Sequence, residues 1–336
     1  MESIGVALFG LGRIGKIHLK NVLLNKRLTL LWIVDESEDN VKAELEHYGG
    51  QKEIQIAATR QIENVLADDR VSAVVICTPT DTHADLTIQS IKAGKHVMCE
   101  KPMSESNEKV AECYDTSEQC GKILFDAFNR KFDKSYRSMY DKVRSGEVGE
   151  VQFIRSTFRD TPLWRGAETF TQTFLCHDID ICCWFAGELP DSVVCVATAH
   201  DEKIKQAGDV DSCVVTMKFP NGAIGVMDFA RYSCYGYDIR LEVFGTRGML
   251  KMEPALESTV NEYRLTGKQE SPFCASFPQR FQDAYIAELD HFIDAIQGKV
   301  EIYVGREVCE RIGIVLDAIK QSYKTGTVVK ITSNKQ

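Results

Sequence analysis

The chain has no run of about 20 uninterrupted apolar residues, the length that a membrane-spanning helix requires, so no span is expected. No secretory leader is expected either. The first apolar run, Ile4–Phe9, passes straight into Gly10, and cleavage after it would remove the loop described below. Positive charge is in deficit, with 40 Lys and Arg against 49 Asp and Glu and a net charge of −9. That balance argues against nucleic acid or an anionic membrane surface as a partner. None of the twelve cysteines forms a C-x-x-C pair, and no cysteine/histidine spacing suits a structural zinc, so no metal site is expected. Free, buried thiols in a reducing cytoplasm are expected rather than a disulfide framework. There is no internal repeat and no low-complexity linker.

What is present suits a globular enzyme. Across 336 residues, 44% are hydrophobic and 26% charged, enough to bury a large core in two domains. Short apolar runs at Ile4–Phe9, Thr29–Val34, Ala73–Cys77, His96–Cys99 and Ile123–Phe128 alternate with helix-period stretches at Ile14–Leu24, Asp39–Tyr48, Asp81–Ala93 and Glu105–Cys120. Strand and helix in alternation predict a doubly wound parallel sheet, an α/β domain over residues 1–125. After another helical stretch, Ser135–Ser145, longer β-rich runs appear at Val151–Phe158, Val193–His200, Ser212–Phe219, Ala223–Ala230 and Ile239–Gly245. Pro220-Asn221-Gly222 between two of them reads as a hairpin turn. Helical periodicity returns at Arg280–Gln297 and Arg306–Tyr323. Residues 126–336 are therefore expected to form an α+β domain on an open, largely antiparallel sheet.

Gly10-Leu11-Gly12-Arg13-Ile14-Gly15 fits G-x-G-x-x-G directly after a predicted strand and at the opening of a predicted helix. Gly10 permits the tight turn, Gly12 lets the backbone approach a pyrophosphate, and Gly15 lets helix and strand pack closely. The helix N-terminus then offers N–H groups to the phosphates. Asp35 lies 20 residues after Gly15, at the end of the second run. A carboxylate there accepts hydrogen bonds from the adenosine ribose and repels a 2′-phosphate, so NAD is expected rather than NADP.

Two further motifs are Cys77-Thr78-Pro79-Thr80-Asp81-Thr82-His83 and Lys95-His96-Val97-Met98-Cys99-Glu100-Lys101-Pro102. With the glycine loop they resemble the glucose–fructose oxidoreductase/inositol dehydrogenase family, and the Glu-Lys-Pro tripeptide is the most specific piece. Asn129-Arg130-Lys131-Phe132-Asp133 resembles the family's N-R-R-F-D segment. Tyr235-Gly236-Tyr237-Asp238, running into Glu242-Val243-Phe244-Gly245, resembles its inositol 2-dehydrogenase branch, as do Arg280-Phe281, Ala284-Tyr285 and Glu288.

The resemblance implies Thr78, Pro79, His83, Glu100 and Lys101 around the cofactor, with Lys101 and His177 as catalytic residues. It also implies a homodimer or homotetramer. A cation at the reacting oxygen stabilises a developing alkoxide, which suits Lys101, and burial beside other groups could lower its pKa enough for proton transfer. Histidine suits a general base near neutral pH. The family's inositol dehydrogenases carry an aspartate four residues before that histidine, preceded by a Gly-Gly pair. Here the aspartate position holds Thr173 and the glycine positions hold Glu168-Thr169. Asp180, three residues after His177, is a partial substitute. Arg130, Asp160, Trp164, Tyr235 and Tyr237 complete the candidate substrate contacts, the two tyrosines sharing one strand face. Cys176, Cys182 and Cys183 read as core thiols.

The pattern implies an NAD-dependent dehydrogenase of a cyclitol hydroxyl. An aldose or dihydrodiol dehydrogenase is the alternative within the family, and a catalytically silent NAD-binding sensor is the alternative outside enzymes.

Overall fold

The computed structural model describes residues 3–50, 53–161 and 170–332, without the side chains of 170–174. Trp164 therefore lies outside the described residues, as does the side chain of Thr173. The chain divides into two compact units. The first comprises Met1–Asn129 and Asp283–Glu310, the second Arg130–Gln282 and Arg311–Gln336. The segment Asp283–Glu310 thus joins the first unit although it is remote from it in sequence, which a single cut after residue 125 does not provide for.

In the first unit, β1 (Ile4–Phe9), β2 (Leu28–Val34), β3 (Gln55–Ala57), β4 (Ala73–Ile76), β5 (His96–Glu100) and β6 (Leu124–Ala127) form one parallel sheet in the order β3-β2-β1-β4-β5-β6. Continuous apolar stretches such as Ala73–Ile76, buried at every position, are what a sheet covered on both faces requires. The crossovers are α1 (Arg13–Leu24), α2 (Glu38–Glu46), α3 (Ile62–Leu66), α4 (Thr80–Lys92) and α5 (Asn107–Cys120). Ser37 and Ser106 cap α2 and α5 by accepting from Asn40 N and Lys109 N, and left-handed Gly121 ends α5. β3 and α3, at three and five residues, are too short to show a period, so the sequence reading passed over them. Strand order reverses at β1, which opens the crevice where such sheets bind ligands.

In the second unit, α6 (Lys134–Arg144) precedes β7 (Val151–Arg159), and α7 (Phe170–Ala186) follows it. Next come β8 (Ser192–Thr198), α8 (Glu202–Gln206), β9 (Ser212–Lys218), β10 (Ile224–Ala230), β11 (Asp238–Gly245) and β12 (Gly248–Met252). A small hairpin of β13 (Glu262–Arg264) and β14 (Gly267–Gln269) stands apart. After α9 (Phe277–Arg280) the chain passes through α10 (Gln282–Ile296), which belongs to the first unit from Asp283 on, and returns along α11 (Arg306–Thr325) to β15 (Val329–Lys330). The seven-stranded sheet runs β12-β11-β7-β10-β9-β8-β15, antiparallel except where β7 meets β10. Alternate residues along β9 and β10 are buried, leaving one face open, as expected for a largely antiparallel sheet. Gly222 N donates to Phe219 O at 3.0 Å, and Gly222 has φ +88° while Asn221 does not leave negative φ. The turn is thus the three-residue kind closed by a left-handed glycine.

The helix α7 is held by buried charge. Arg130, 1% exposed, donates to Asp178 at 3.0 Å and lies 4.8 Å from the Phe158 ring centroid. Lys131 and Asp180 form a second buried pair at 2.9 Å, and Arg280 bonds Asp133 at 2.6 Å. Cys176, Cys182 and Cys183 line the buried side of α7, and burial pushes the Cys183 thiol up to about 12. All twelve cysteines are free, ten of them buried.

Removing one partner of a buried pair leaves an uncompensated charge, so Asp178→Ala should cost about 3–5 kcal/mol. Urea unfolding at an unchanged slope measures it, and a loss below about 1 kcal/mol would show that Arg130 finds its charge balance elsewhere.

Candidate active site

The candidate residues of the first unit gather where β1, β2, β4 and β5 end. Gly10 N donates to Val34 O at 2.7 Å and Cys77 N to Phe9 O at 2.7 Å, which ties the three strand ends around the loop. Gly10 sits at φ +87°, and a Cβ there would fall 2.7 Å from the Cys77 carbonyl. A Cβ on Gly15 would fall 2.1 Å from Gly10 O, so the start of α1 can approach the strand only without one. A Cβ on Gly12 would meet nothing within 4 Å. The loop is therefore packed at its first and third glycines and open at its second. Leu11 is buried, Ile14 half-buried, and Gly12 and Arg13 exposed.

Helix α1 begins with no side-chain cap and no acidic residue in its first turn, which leaves its positive end facing outward over Gly12. Asp35 is half-buried. Its Oδ2 accepts from Leu11 N at 2.7 Å and its Oδ1 from Ser37 N at 2.9 Å. These bonds hold the carboxylate beside the glycine loop and leave lone pairs for a diol. An open second glycine, an uncapped helix and a tethered carboxylate fit a dinucleotide's pyrophosphate and ribose.

Thr78 is half-buried and Pro79 exposed at the start of α4, and Thr82 Oγ1 donates to Thr78 Oγ1 at 2.7 Å. His83 is buried between two carbonyls, with Nε2 2.8 Å from Thr78 O and Nδ1 3.0 Å from Pro102 O. It joins the Thr78 turn to the turn after β5. Lys101 is half-buried, and the Lys101–Pro102 bond is cis. The Glu100 side chain turns inward. It meets His18 Nε2 at 2.9 Å and accepts from Lys101 N at 3.3 Å. Both His18 and Glu288, on α1 and α10, lie buried beside it. The reading of motifs missed His18 in this role, although its position three residues after Gly15 puts it on the same helix face.

In the second unit, His177 is buried on α7. Thr173, four residues before it, shares its helix face. Asp160 closes β7, 7% exposed, and accepts from Thr161 N at 2.8 Å. The remaining candidates are surrounded as follows. Arg130 is enclosed by Asp178 and aromatic rings, so it braces α7 rather than presenting a surface. Asp180 already matches the charge of Lys131, and burial raises its carboxyl while Lys131 opposes. Tyr235 and Tyr237 do not share a strand face, because β11 starts only at Asp238 and Gly236 between them has φ +118°. Tyr235 is exposed, its hydroxyl donating to Asp238 at 3.0 Å, whereas Tyr237 is buried beside Phe158 and Phe281.

A family model described as an oxidoreductase family with an NAD-binding Rossmann fold matches residues 4–128, and the GFO/IDH/MocA C-terminal domain matches residues 136–251. Myo-inositol 2-dehydrogenase of Thermotoga maritima is 35% identical over 298 residues, 87% of this chain and 88% of that one. This chain belongs to the GFO/IDH/MocA oxidoreductase family. The NAD(+)-dependent scyllo-inositol 2-dehydrogenase of Bacillus subtilis is 29% identical over 342 residues, 98% of this chain and 97% of its own. The crystal structure of a putative myo-inositol dehydrogenase from Sinorhizobium meliloti superposes with a TM-score of 0.92 at 30% identity, covering 98% of this chain and 100% of that one. The glycine loop is thus that of an NAD-binding Rossmann domain, in an NAD-dependent oxidoreductase. Among the described residues, no helix is long and apolar enough to cross a membrane.

The glycines separate fold from binding. Gly12→Ala should melt within about 2 °C of the parent yet bind NAD about tenfold more weakly, because its methyl enters the space for the pyrophosphate. Gly15→Ala should instead destabilise the fold by about 1–3 kcal/mol. Calorimetric titration with NAD and thermal melts on both variants test the contrast, and equal effects would break it.

Proposed function

We propose that this chain oxidises a secondary hydroxyl of a cyclitol, myo-inositol or a close stereoisomer, with NAD. The arrangement that carries this reading is the gathering of the glycine loop, Asp35 and Lys101 at the carboxyl ends of one parallel sheet. The names of the inositol dehydrogenases that match most of its length support the substrate class. Bound NAD supplies the hydride acceptor. Backbone N–H groups of Gly12, Arg13 and Ile14 face the pyrophosphate, and Asp35 accepts from the ribose hydroxyls and disfavours NADP. Lys101 places an ammonium at the substrate oxygen and stabilises the alkoxide that develops as the hydroxyl proton leaves, before hydride loss turns the carbon–oxygen bond into a ketone. His177 takes the hydroxyl proton. Asp160 and Thr173 remain candidate substrate contacts, while Arg130, Lys131 and Asp180 support α7 from behind. Ten buried free thiols accord with a reducing cytoplasm.

Assembly into a dimer or tetramer belongs to the same proposal. Val196, Val214, Ile224 and Phe244 are exposed on the seven-stranded sheet, an apolar content that favours a partner face. Light scattering should give a multiple of the 37.8 kDa chain mass, and a single-chain mass would contradict it.

The reaction is tested by NADH formation with myo-inositol, scyllo-inositol, glucose and xylose. An inositol should turn over and the aldoses should not. Lys101→Met should lose about 10²–10³-fold in kcat while binding NAD as before. Turnover of glucose or xylose alone would move the assignment to an aldose dehydrogenase, with Thr173 as the cause. Silence toward all four with NAD bound would favour the sensor.

A further inference from the structure

We propose that Glu288 is a positioning residue for Lys101, a neutral carboxylic acid that completes a buried trio with His18 and Glu100 behind the Lys101–Pro102 turn. The proposal rests on the role given to Lys101 above.

The geometry is a cluster of two carboxyls and one imidazole, all buried, with one donor atom from each within 4.8 Å of the others. Two of the three groups account for each other. Glu100 takes His18 Nε2 at 2.9 Å on one oxygen and the Lys101 backbone N–H at 3.3 Å on the other. Both Glu100 oxygens are thus engaged, one by the His18 ring and one by a backbone N–H. Glu288 is fully buried on α10, and neither of its oxygens has a hydrogen-bond partner among the described residues. A buried carboxylate without a donor is far more costly than the neutral acid, so the proton stays on Glu288. Its ionisable surroundings point the same way. Burial pushes its carboxyl well above the ordinary range, Glu100 and Asp126 push further, and only Lys101 opposes. Cys77, just after β4, is held as a thiol chiefly by burial, with Glu100 and Glu288 adding to it. His18 faces the trio from α1, with its ring edge-on to Tyr285 at 5.8 Å.

The consequence falls on Lys101. A neutral Glu288 leaves Glu100 as the single carboxylate of the trio, and Glu100 fixes the Lys101 backbone. An ionised Glu288 would repel Glu100 and draw on the same ammonium that is to meet the substrate oxygen. Lys101 would then be pulled inward as pH rises.

The test uses the full chain, with lysines labelled by ¹³C reductive methylation and the Lys101 signal assigned from its loss in Lys101→Met. In wild type, the Lys101 signal should show an inflection above the ordinary carboxylate range, absent in Glu288→Gln, which keeps the shape without the proton. Thermal melts supply the second readout. A carboxyl protonated in the folded state and ionised in the unfolded one lends stability that is complete below the ordinary carboxylate range and fades as pH rises. Wild type should therefore lose Tm relative to Glu288→Gln as pH rises above the ordinary carboxylate range. In turnover, Glu288→Gln should keep roughly a third or more of kcat/KM at neutral pH and hold it further into alkali, while Glu288→Ala falls about tenfold.

A Lys101 signal identical in wild type and Glu288→Gln overturns the proposal, as does a Tm difference that does not change with pH. A stoichiometric divalent metal lost on Glu288→Gln would also overturn it, by making a cation the occupant of the trio. Absence of turnover on every polyol, with the inflection present in wild type and absent in Glu288→Gln, counts against the dehydrogenase reading and leaves Glu288 supported.

Discussion

The nucleotide end of the parallel sheet depends on the approach of Gly15 to the carbonyl of Gly10. With a Cβ position only 2.1 Å from that oxygen, no other residue lets α1 start where it does. From that one approach follow the outward aim of the helix's positive end, the open space over Gly12 and the reach of Leu11 N to Asp35. The carboxylate is held to a definite place beside the loop by two backbone N–H groups, which is a stronger constraint than its spacing in sequence. The same loop is pinned to β4 through Gly10 and Cys77, so the neighbouring strand end is placed by the same contact.

Charge is buried in both units, and in each it is matched rather than left to solvent. Around α7 the matching is by pairs, Arg130 with Asp178 and Lys131 with Asp180, which place the helix carrying His177 against its sheet. Such pairs add little net stability, but each is costly to break singly, so they act as register marks for α7. Behind Lys101 the matching is by proton. Two carboxyls share a space with one imidazole, and the cheapest arrangement is one charge, not two. Both devices keep the reactive side chains in definite positions without spending a solvent-exposed contact on them.

Three of the candidate substrate contacts share a buried setting. Arg130, Asp180 and Tyr237 are polar residues close in sequence to residues of the expected site, and polarity together with resemblance made them candidate substrate contacts. In the structure each is enclosed and supports the scaffold. Tyr235 is exposed instead, beyond the left-handed turn at Gly236. The departure at Thr173 keeps its place four residues before His177, so the substrate question it raises is one of side-chain chemistry and not of a shifted frame.

Local pattern by itself determined the strand–helix alternation of the first 125 residues, the phosphate loop, the acidic residue at the end of β2 and the hairpin at Gly222. Each depends on the backbone preferences or periodicity of a few adjacent residues, and these survive in any tertiary setting. It also carried the family, because Glu100-Lys101-Pro102 is contiguous. Only the tertiary structure decided that Asp283–Glu310 completes the first unit, that Glu288 lies against Glu100 and His18, and which polar side chains face inward. Those facts depend on residues as far apart as His18 and Glu288 meeting in one apolar space. Desolvation there decides who is charged, and no local window of sequence contains that energy.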